Sequence, residues 1–262
     1  MKYFSIILII IFITMGFWSV FIEPNILVTK KLTIKDKQLA GLKIVFASDF
    51  HIKPFEKYRL KKIVKRINKQ NADIILLGGD FVNGHDGSFT MSMEDIAYGL
   101  RDLKSKYGVV AIIGNHDGWQ GKYRMIKALK DNGITVLLNS NKIFDKFTIA
   151  GVDDLQTGNP DVNKALRGAK GGVILLTHTP DVFPQTFSYD NVKLVLAGHL
   201  HGGQVVIPFR GAAYIPSIYG TKYLYGIIKE NNKTLFTSKG LGNSILPVRF
   251  NCTPEIVVIE FV

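Results

Sequence analysis

Polar and apolar positions divide this chain into two unequal parts. From Tyr3 to Ile22 the residues are nearly all Ile, Leu, Phe, Val, Met and Trp, broken by Ser5, Thr14, Gly16 and Ser19 and by no charge. A helix needs about 20 such residues to cross a bilayer core, so residues 1–22 are expected to form one N-terminal transmembrane helix. Trp18 and Phe21 lie near its outgoing end, at the level interfacial aromatic rings favour. A cleaved signal peptide is the competing reading. The run is long for one, no Ala-x-Ala-type site precedes Glu23-Pro24, and there is no twin-arginine signal. Residues 23–41 read as a linker that merges into a first edge strand over 26–34.

Beyond residue 41 short apolar runs alternate with amphipathic stretches. The runs at 42–47, 73–77, 109–113, 134–138, 147–152, 173–176 and 192–197 predict strands, several of them buried on both faces. Residues 56–70 predict a helix with Leu60, Ile63, Val64 and Ile67 on one face and lysines and arginines on the other. Further helices are expected over 92–104, over 122–132 with Gly133 as the stop, and over 160–167. From Gln204 onward the pattern is rich in strand and turn residues. Asn231-Asn232 joins two strands, and 255–261 is the last. Neither an internal repeat nor a second boundary divides 42–262. One α/β domain with a mixed sheet or two stacked sheets is therefore expected.

Composition narrows the partners. Of 262 residues 47% are apolar, which is globular. The formal charge of +12, from 33 basic and 21 acidic residues, fits an anionic partner or a lysine-rich surface. Cys252 is the one cysteine, so no internal disulfide is possible. Lys2 and the free amine precede the apolar span, and Lys30, Lys31, Lys35 and Lys37 follow it, which leans towards a cytoplasmic domain.

The chemistry sits at the ends of the apolar runs. In order these deliver Asp49-Phe50-His51, Gly79-Asp80 with Asn83, Gly114-Asn115-His116-Asp117, His178, and Gly198-His199-Leu200-His201. Ligands of open α/β sheets bind beyond the carboxyl ends of the strands, so these side chains should converge. Carboxylate, amide oxygen and imidazole without thiolate suit Mn, Fe, Zn, Co or Ni. Seven or eight ligands are too many for one open tetrahedral site, and they suit two ions sharing a carboxylate. Such a pair lowers the pKa of a water, holds a phosphoryl oxygen and stabilises a leaving oxygen.

Together these motifs, in this order, resemble the calcineurin-like metallophosphoesterases, over about residues 43–201. The tail, with Gly202-Gly203-Gln204, Gly240-Leu241-Gly242-Asn243-Ser244 and Pro247-Val248-Arg249-Phe250-Asn251-Cys252, is similar to the membrane-associated branch of bacterial phosphodiesterases and UDP-2,3-diacylglucosamine pyrophosphatases of lipid A biosynthesis. The resemblance implies a four-layer α/β/β/α sandwich with two mixed sheets. It implies two divalent metal ions, with attack by a metal-bound hydroxide. Asp49, His51 and His201 would hold the first ion, Asn115, His178 and His199 the second, and Asp80 would bridge them. His116 would protonate the leaving oxygen or stabilise the transition state, with Asp117 orienting its ring. His85 fits no motif and reads as a surface histidine. Asn83 either orients a ligand or closes a turn.

Two departures argue against a protein phosphatase. The loop after Asp80 reads Phe-Val-Asn-Gly-His, and no arginine precedes Gly114. The basic face of 56–70 makes a nuclease a competitor, although a solvated helix face is the plainer reading. A non-catalytic scaffold would be expected to lack some of these positions, and here all are filled. Apolar and aromatic residues at 205–209, 214–216 and 219–225 are placed to wall the site for acyl chains. The expected substrate is thus an anionic phosphodiester or pyrophosphate, lipid-linked as in UDP-2,3-diacylglucosamine, met at the membrane.

Overall fold

The computed structural model describes residues 2–262; the free amine and the Lys2 side chain, invoked above for orientation, lie outside what is described. The first apolar run forms α1 (Lys2–Phe17), continued by a π turn (Trp18–Ile22) and a 3-10 turn (Glu23–Asn25). The span Tyr3–Asn25 has mean hydropathy 2.6, and only 6% of its most apolar window is buried. From residue 3 to residue 17 the helix is exposed and apolar on all sides, and it is long and apolar enough to cross a membrane.

The strands in chain order are β1 (Val28–Ile34), β2 (Lys43–Ala47), β3 (Ile74–Leu77), β4 (Val109–Ala111), β5 (Thr135–Val136), β6 (Ser140–Ile143) and β7 (Phe147–Gly151). They continue as β8 (Gly172–Leu176), β9 (Val192–Ala197), β10 (Val206–Ile207), β11 (Gly211–Ala212), β12 (Gly226–Glu230), β13 (Lys233–Thr237) and β14 (Glu255–Phe261). Among the described residues they form two six-stranded sheets, ordered β1-β14-β2-β3-β4-β5 and β12-β13-β9-β8-β7-β6, and the small pair β10-β11. Both large sheets are mixed. β2 to β5 are parallel and β14 is antiparallel to β2; β7, β8, β9 and β13 are parallel, flanked by antiparallel β6 and β12.

The central strands are apolar on both faces because both faces are covered. Ile44, Phe46, Ile74 and Leu76 of the first sheet pack on Ile149, Ile174, Leu194 and Phe236 of the second. The first sheet's outer face, with Val45, Ile75 and Leu77, takes the apolar stripes of α2 (Lys57–Asn68), α3 (Met93–Leu100) and α4 (Asn115–Asp131). The second sheet's outer face is covered by α5 (Val162–Leu166) and the 3-10 turn Pro180–Thr186. The layers are therefore α/β/β/α, and the carboxyl ends of the parallel strands of both sheets point their turns to one place.

The structure departs from the sequence reading in four elements. The helix expected at 122–132 begins earlier, at Asn115, and absorbs the third motif; Gly121 at φ 140° kinks it, which is why the periodicity is legible only after that point. The helix expected over 92–104 ends at Leu100, although Ser92 caps it as its hydroxyl accepts Asp95 N–H. β6, of sequence Ser-Asn-Lys-Ile, is half exposed and gives no apolar signal. Residues 204–225, expected to be strand-rich, are mostly turns: Val205 and Tyr214 line a cleft, Ile207, Phe209 and Ile218 are exposed, and Tyr223 packs into the core under the second sheet.

Candidate metal centre

Three of the five motif turns are backbone-strained. Asp49, His51, Asp80, His199 and His201 all have φ between 42° and 70°. Such left-handed residues cost of order 1–3 kcal/mol each and persist only where the surroundings over-determine them. Here the surroundings do. Asp49 N–H donates to Gly79 O and His51 N–H to Asp80 O, each at 3.0 Å, tying the end of β2 to that of β3. Gly114 and Gly198 are required by close approach: a Cβ on Gly114 would collide with the Asp80 carboxylate, and one on Gly198 with the Asp49 carboxylate.

The side chains expected to bind or react meet in one buried cluster. His51 Nε2 is 3.1 Å from His201 Nε2 and 3.5 Å from Asp80 Oδ2, and His201 Nε2 is 3.6 Å from Asp49 Oδ1. On the other side of Asp80, His178 Nε2 lies 3.2 Å from Oδ2, and His199 Nδ1 lies 3.0 Å from Asn115 Oδ1. Donor atoms of Asp49, His51 and His201, of Asp49, Asp80 and His178, and of His51, Asp80 and His116 each fall within 4.8 Å of one another. His116 Nδ1 donates to Gly84 O at 2.6 Å, which leaves Nε2, 3.9 Å from Asp80 Oδ2, as the atom that can take or give a proton.

The electrostatics suit a cation. Burial holds the His51 ring down to about 3, and burial followed by the charge of His178 does the same for His199. Burial, His51 and Arg249 hold His201 well below the usual range. These three imidazoles are thus neutral, the form with a lone pair to donate. His178 goes the other way. Burial would lower it, but the Asp80, Asp49 and Asp154 carboxylates raise it well above its usual value. Asp80 shows the complement: burial would raise it, and His178, His116 and His51 hold it well down. The carboxylates therefore create a field at His178 Nε2 that favours positive charge.

Residues 42–203 match the calcineurin-like phosphoesterase family. The chain belongs to that family. It is a metal-dependent phosphoester hydrolase, and its family works with two divalent metals. Over 251 residues it is 34% identical to the metallophosphoesterase YkuE of Bacillus subtilis, covering 91% of this chain and 86% of that one. Over 246 residues it is 30% identical to the phosphodiesterase YaeI of Escherichia coli, with 90% and 88% covered. A Danio rerio relative named a transmembrane protein with metallophosphoesterase domain is 29% identical over 246 residues, covering 85% of this chain and 54% of that protein.

The residues present fit a metal pair. The donor set is oxygen and nitrogen, and His178 Nε2, which faces the Asp80 carboxylate inside the cluster, is a buried polar atom without a hydrogen-bond partner. Such orphans are rare unless something further binds there.

One expectation changes, and two gain detail. Asp117 does not orient the His116 ring. Its carboxylate instead accepts the backbone N–H groups of Asp80, Phe81, Val82 and Gly114 at 2.9–3.1 Å, and burial, aided by the Asp80 charge, raises its pKa to about 7. The ring is positioned by Gly84 O. His85 is exposed, as expected of a surface histidine, but it is not isolated. It stacks on Trp119 at 4.5 Å and meets the edge of His116 at 4.9 Å, at the rim of the cleft. Asn83 closes its loop, with its amide donating to Phe89 O and its N–H to Thr90 Oγ1.

Sequence reasoning passed over Arg249, Gln156 and Ser244. Arg249 is fully buried, with Nη2 3.4 Å from His201 Nδ1. Gln156 Nε2 lies 3.2 Å from His199 Nε2, and Ser244 Oγ lies 3.4 Å from His116 Nε2. Ser244 and Arg249 are far from the strand-end motifs in sequence, and their only signal was the glycine-rich tail around 240–252; Gln156 follows β7 in a turn that carries no motif. The new role of Asp117 gives a prediction. Asp117→Ala leaves four buried donors without an acceptor, at about 1–3 kcal/mol each before relaxation. It is expected to unfold several degrees lower and to lose metal, as measured by thermal unfolding and metal analysis. Normal metal content with only a fall in kcat would restore Asp117 to the role of ring orienter.

Proposed function

We propose that this chain hydrolyses a phosphodiester or pyrophosphate bond in a lipid-type substrate such as UDP-2,3-diacylglucosamine. In this reading Asp49, His51 and His201 hold one ion, Asn115, His178 and His199 the other, and Asp80 bridges them; Mn, Fe, Zn, Co or Ni fits these donors. The bound ions supply Lewis-acid charge that eases deprotonation of water and neutralises phosphoryl oxygens. His116, fixed through Nδ1, presents Nε2 to the leaving oxygen and gives it a proton. Gln156 and Arg249 position His199 and His201. The apolar helix anchors the chain, and the lysines after it put residues 42–262, read as the catalytic domain, on the cytoplasmic side.

The observation that carries the lipid reading is the wall of the cleft. A cavity of about 390 Å³ opens directly on Asp80, Asn115, His116 and His199, and Leu200, Val205, Tyr214, Ile245 and Leu246 line it. An apolar wall next to the proton donor suits acyl chains or their linkage region better than a soluble nucleotide. The test is competition at equal concentration between UDP-2,3-diacylglucosamine and UDP-N-acetylglucosamine, which keeps the pyrophosphate and lacks the long chains. A higher kcat/KM for the acylated substrate is expected. Equal values would remove the lipid reading and leave a general phosphodiesterase.

A further inference from the structure

The end of the apolar helix is gripped by the catalytic fold. Ser19 O accepts Arg249 N–H at 2.9 Å. The buried Glu23 carboxylate accepts the N–H groups of Cys252 at 2.5 Å and Asn251 at 3.0 Å, and the Trp18 indole N–H at 3.0 Å. Val20 lies in one small hollow with Lys53, Asn243 and Pro247, and Pro24 and Asn25 lie in another with Tyr58 and Lys62. The segment 243–253 and the first turns of α2 thus flank the last turns of the helix rather than hanging from a linker.

Helix length turns this grip into a depth. Residues 3–18 rise only about 24 Å at 1.5 Å each, short of the roughly 30 Å hydrocarbon core. A spanning helix must therefore keep Ser19 and Val20 at the hydrocarbon edge, and the protein segments bound to them lie at headgroup level. The side chains displayed there suit that level. Ile245 and Leu246 are 78% and 59% exposed, and Tyr58 is 82% exposed beside the lysines at 53, 57, 61 and 62. The apolar tip is built, not slack. Ile245 sits at φ 62°, a costly angle for a β-branched residue, and the Gln204 amide clamps both sides of it through Ser244 and Leu246 at 2.8–3.2 Å.

We propose that the surface around the helix exit, with Ile245 and Leu246 on one side and Tyr58 with its neighbouring lysines on the other, seats on an anionic bilayer. This rests on the anchor reading above. Aromatic rings and lysines favour the headgroup layer, and clustered lysines favour acidic lipids. Because Ser244 adjoins Ile245 and also faces His116, seating places the mouth of the cleft at the membrane surface. A substrate headgroup could then reach the site while its chains stay in the bilayer.

The test uses the full chain in vesicles of phosphatidylcholine and phosphatidylglycerol. Leu246→Cys and Tyr58→Cys carry a fluorescent label, and Tyr123→Cys is the control: exposed, and on α4 across α3 from α2. Cys252 is buried and should not label. A quencher on the acyl chain near the headgroup should quench Leu246 and Tyr58 several-fold more than Tyr123. Equal quenching of all three, in protein that floats with the vesicles, overturns the seating and leaves the anchor standing. Protein that does not float overturns both. Neither result depends on which phosphoester is hydrolysed.

Discussion

Asp80→Ala is expected to leave the protein without its metal pair and without measurable turnover, whereas His116→Ala is expected to keep its metal and lose about 10²–10⁴ in kcat. The contrast follows from where each side chain stands. Asp80 Oδ2 lies within 3.2–3.9 Å of nitrogens on His51, His116 and His178, at the centre of the cluster, and Asp80 Oδ1 accepts the N–H of His116. Its removal takes away the charge shared by both halves of the cluster and a support of the loop that carries His116. His116 stands at the cleft side, held by Gly84 O and packed edge-on to Trp119 at 5.0 Å. Its loss leaves the other donors in place. Metal analysis after reconstitution with excess divalent ion should approach two per chain for the wild type and for His116→Ala, and fall to one or none for Asp80→Ala. If His116→Ala lost metal as Asp80→Ala does, His116 would be a ligand and the assignment of proton donor would be wrong.

Arg249→Met is expected to cost both stability and metal affinity. The guanidinium is fully buried and, among the described residues, forms no ion pair. It donates to the carbonyls of Gly242, Cys252 and Lys239 and to Asn243 Oδ1, so one side chain closes the loop 239–252 behind His201. Methionine fills part of the volume and leaves three carbonyls without a donor. At about 1 kcal/mol for each, roughly 3 kcal/mol of stability is lost, or about 6–12 °C in Tm for a chain of this size. Released from its neighbour, His201 should also bind its ion about 10–100-fold more weakly. Thermal unfolding and metal titration of the detergent-solubilised full chain measure the two effects. Lysine at 249 is expected to rescue little, because a single ammonium cannot span a fork of acceptors. Wild-type stability in Arg249→Met would show that the loop is held by other contacts.

Read alone, the sequence determined what depends on local pattern. An uncharged apolar run of about 20 residues is long and apolar enough for a helix that could cross a membrane. The runs Ile44–Ala47 and Ile74–Leu77 are too apolar and too short for anything but strands covered on both faces. Polar turns at the ends of such strands, rich in Asp, His and glycine, already placed Asp49, Asp80, Asn115, His178 and His199 where one crevice could gather them. Tertiary structure decided what depends on neighbours distant in the chain. No spacing could show that the Asp117 carboxylate serves four backbone N–H groups, because its donors lie in the turn after β3 and at the start of α4. Nor could it show that Arg249 reaches His201. A carboxylate or guanidinium at a given position has the same propensities whether it orients a ring or closes a loop. Which it does is settled by the unpaired donors and acceptors that the fold buries beside it. The same holds for Glu23, which as sequence is one acidic residue after an apolar run. It becomes a buried clasp between helix and catalytic fold only because the loop 251–253 arrives with backbone N–H groups that need an acceptor.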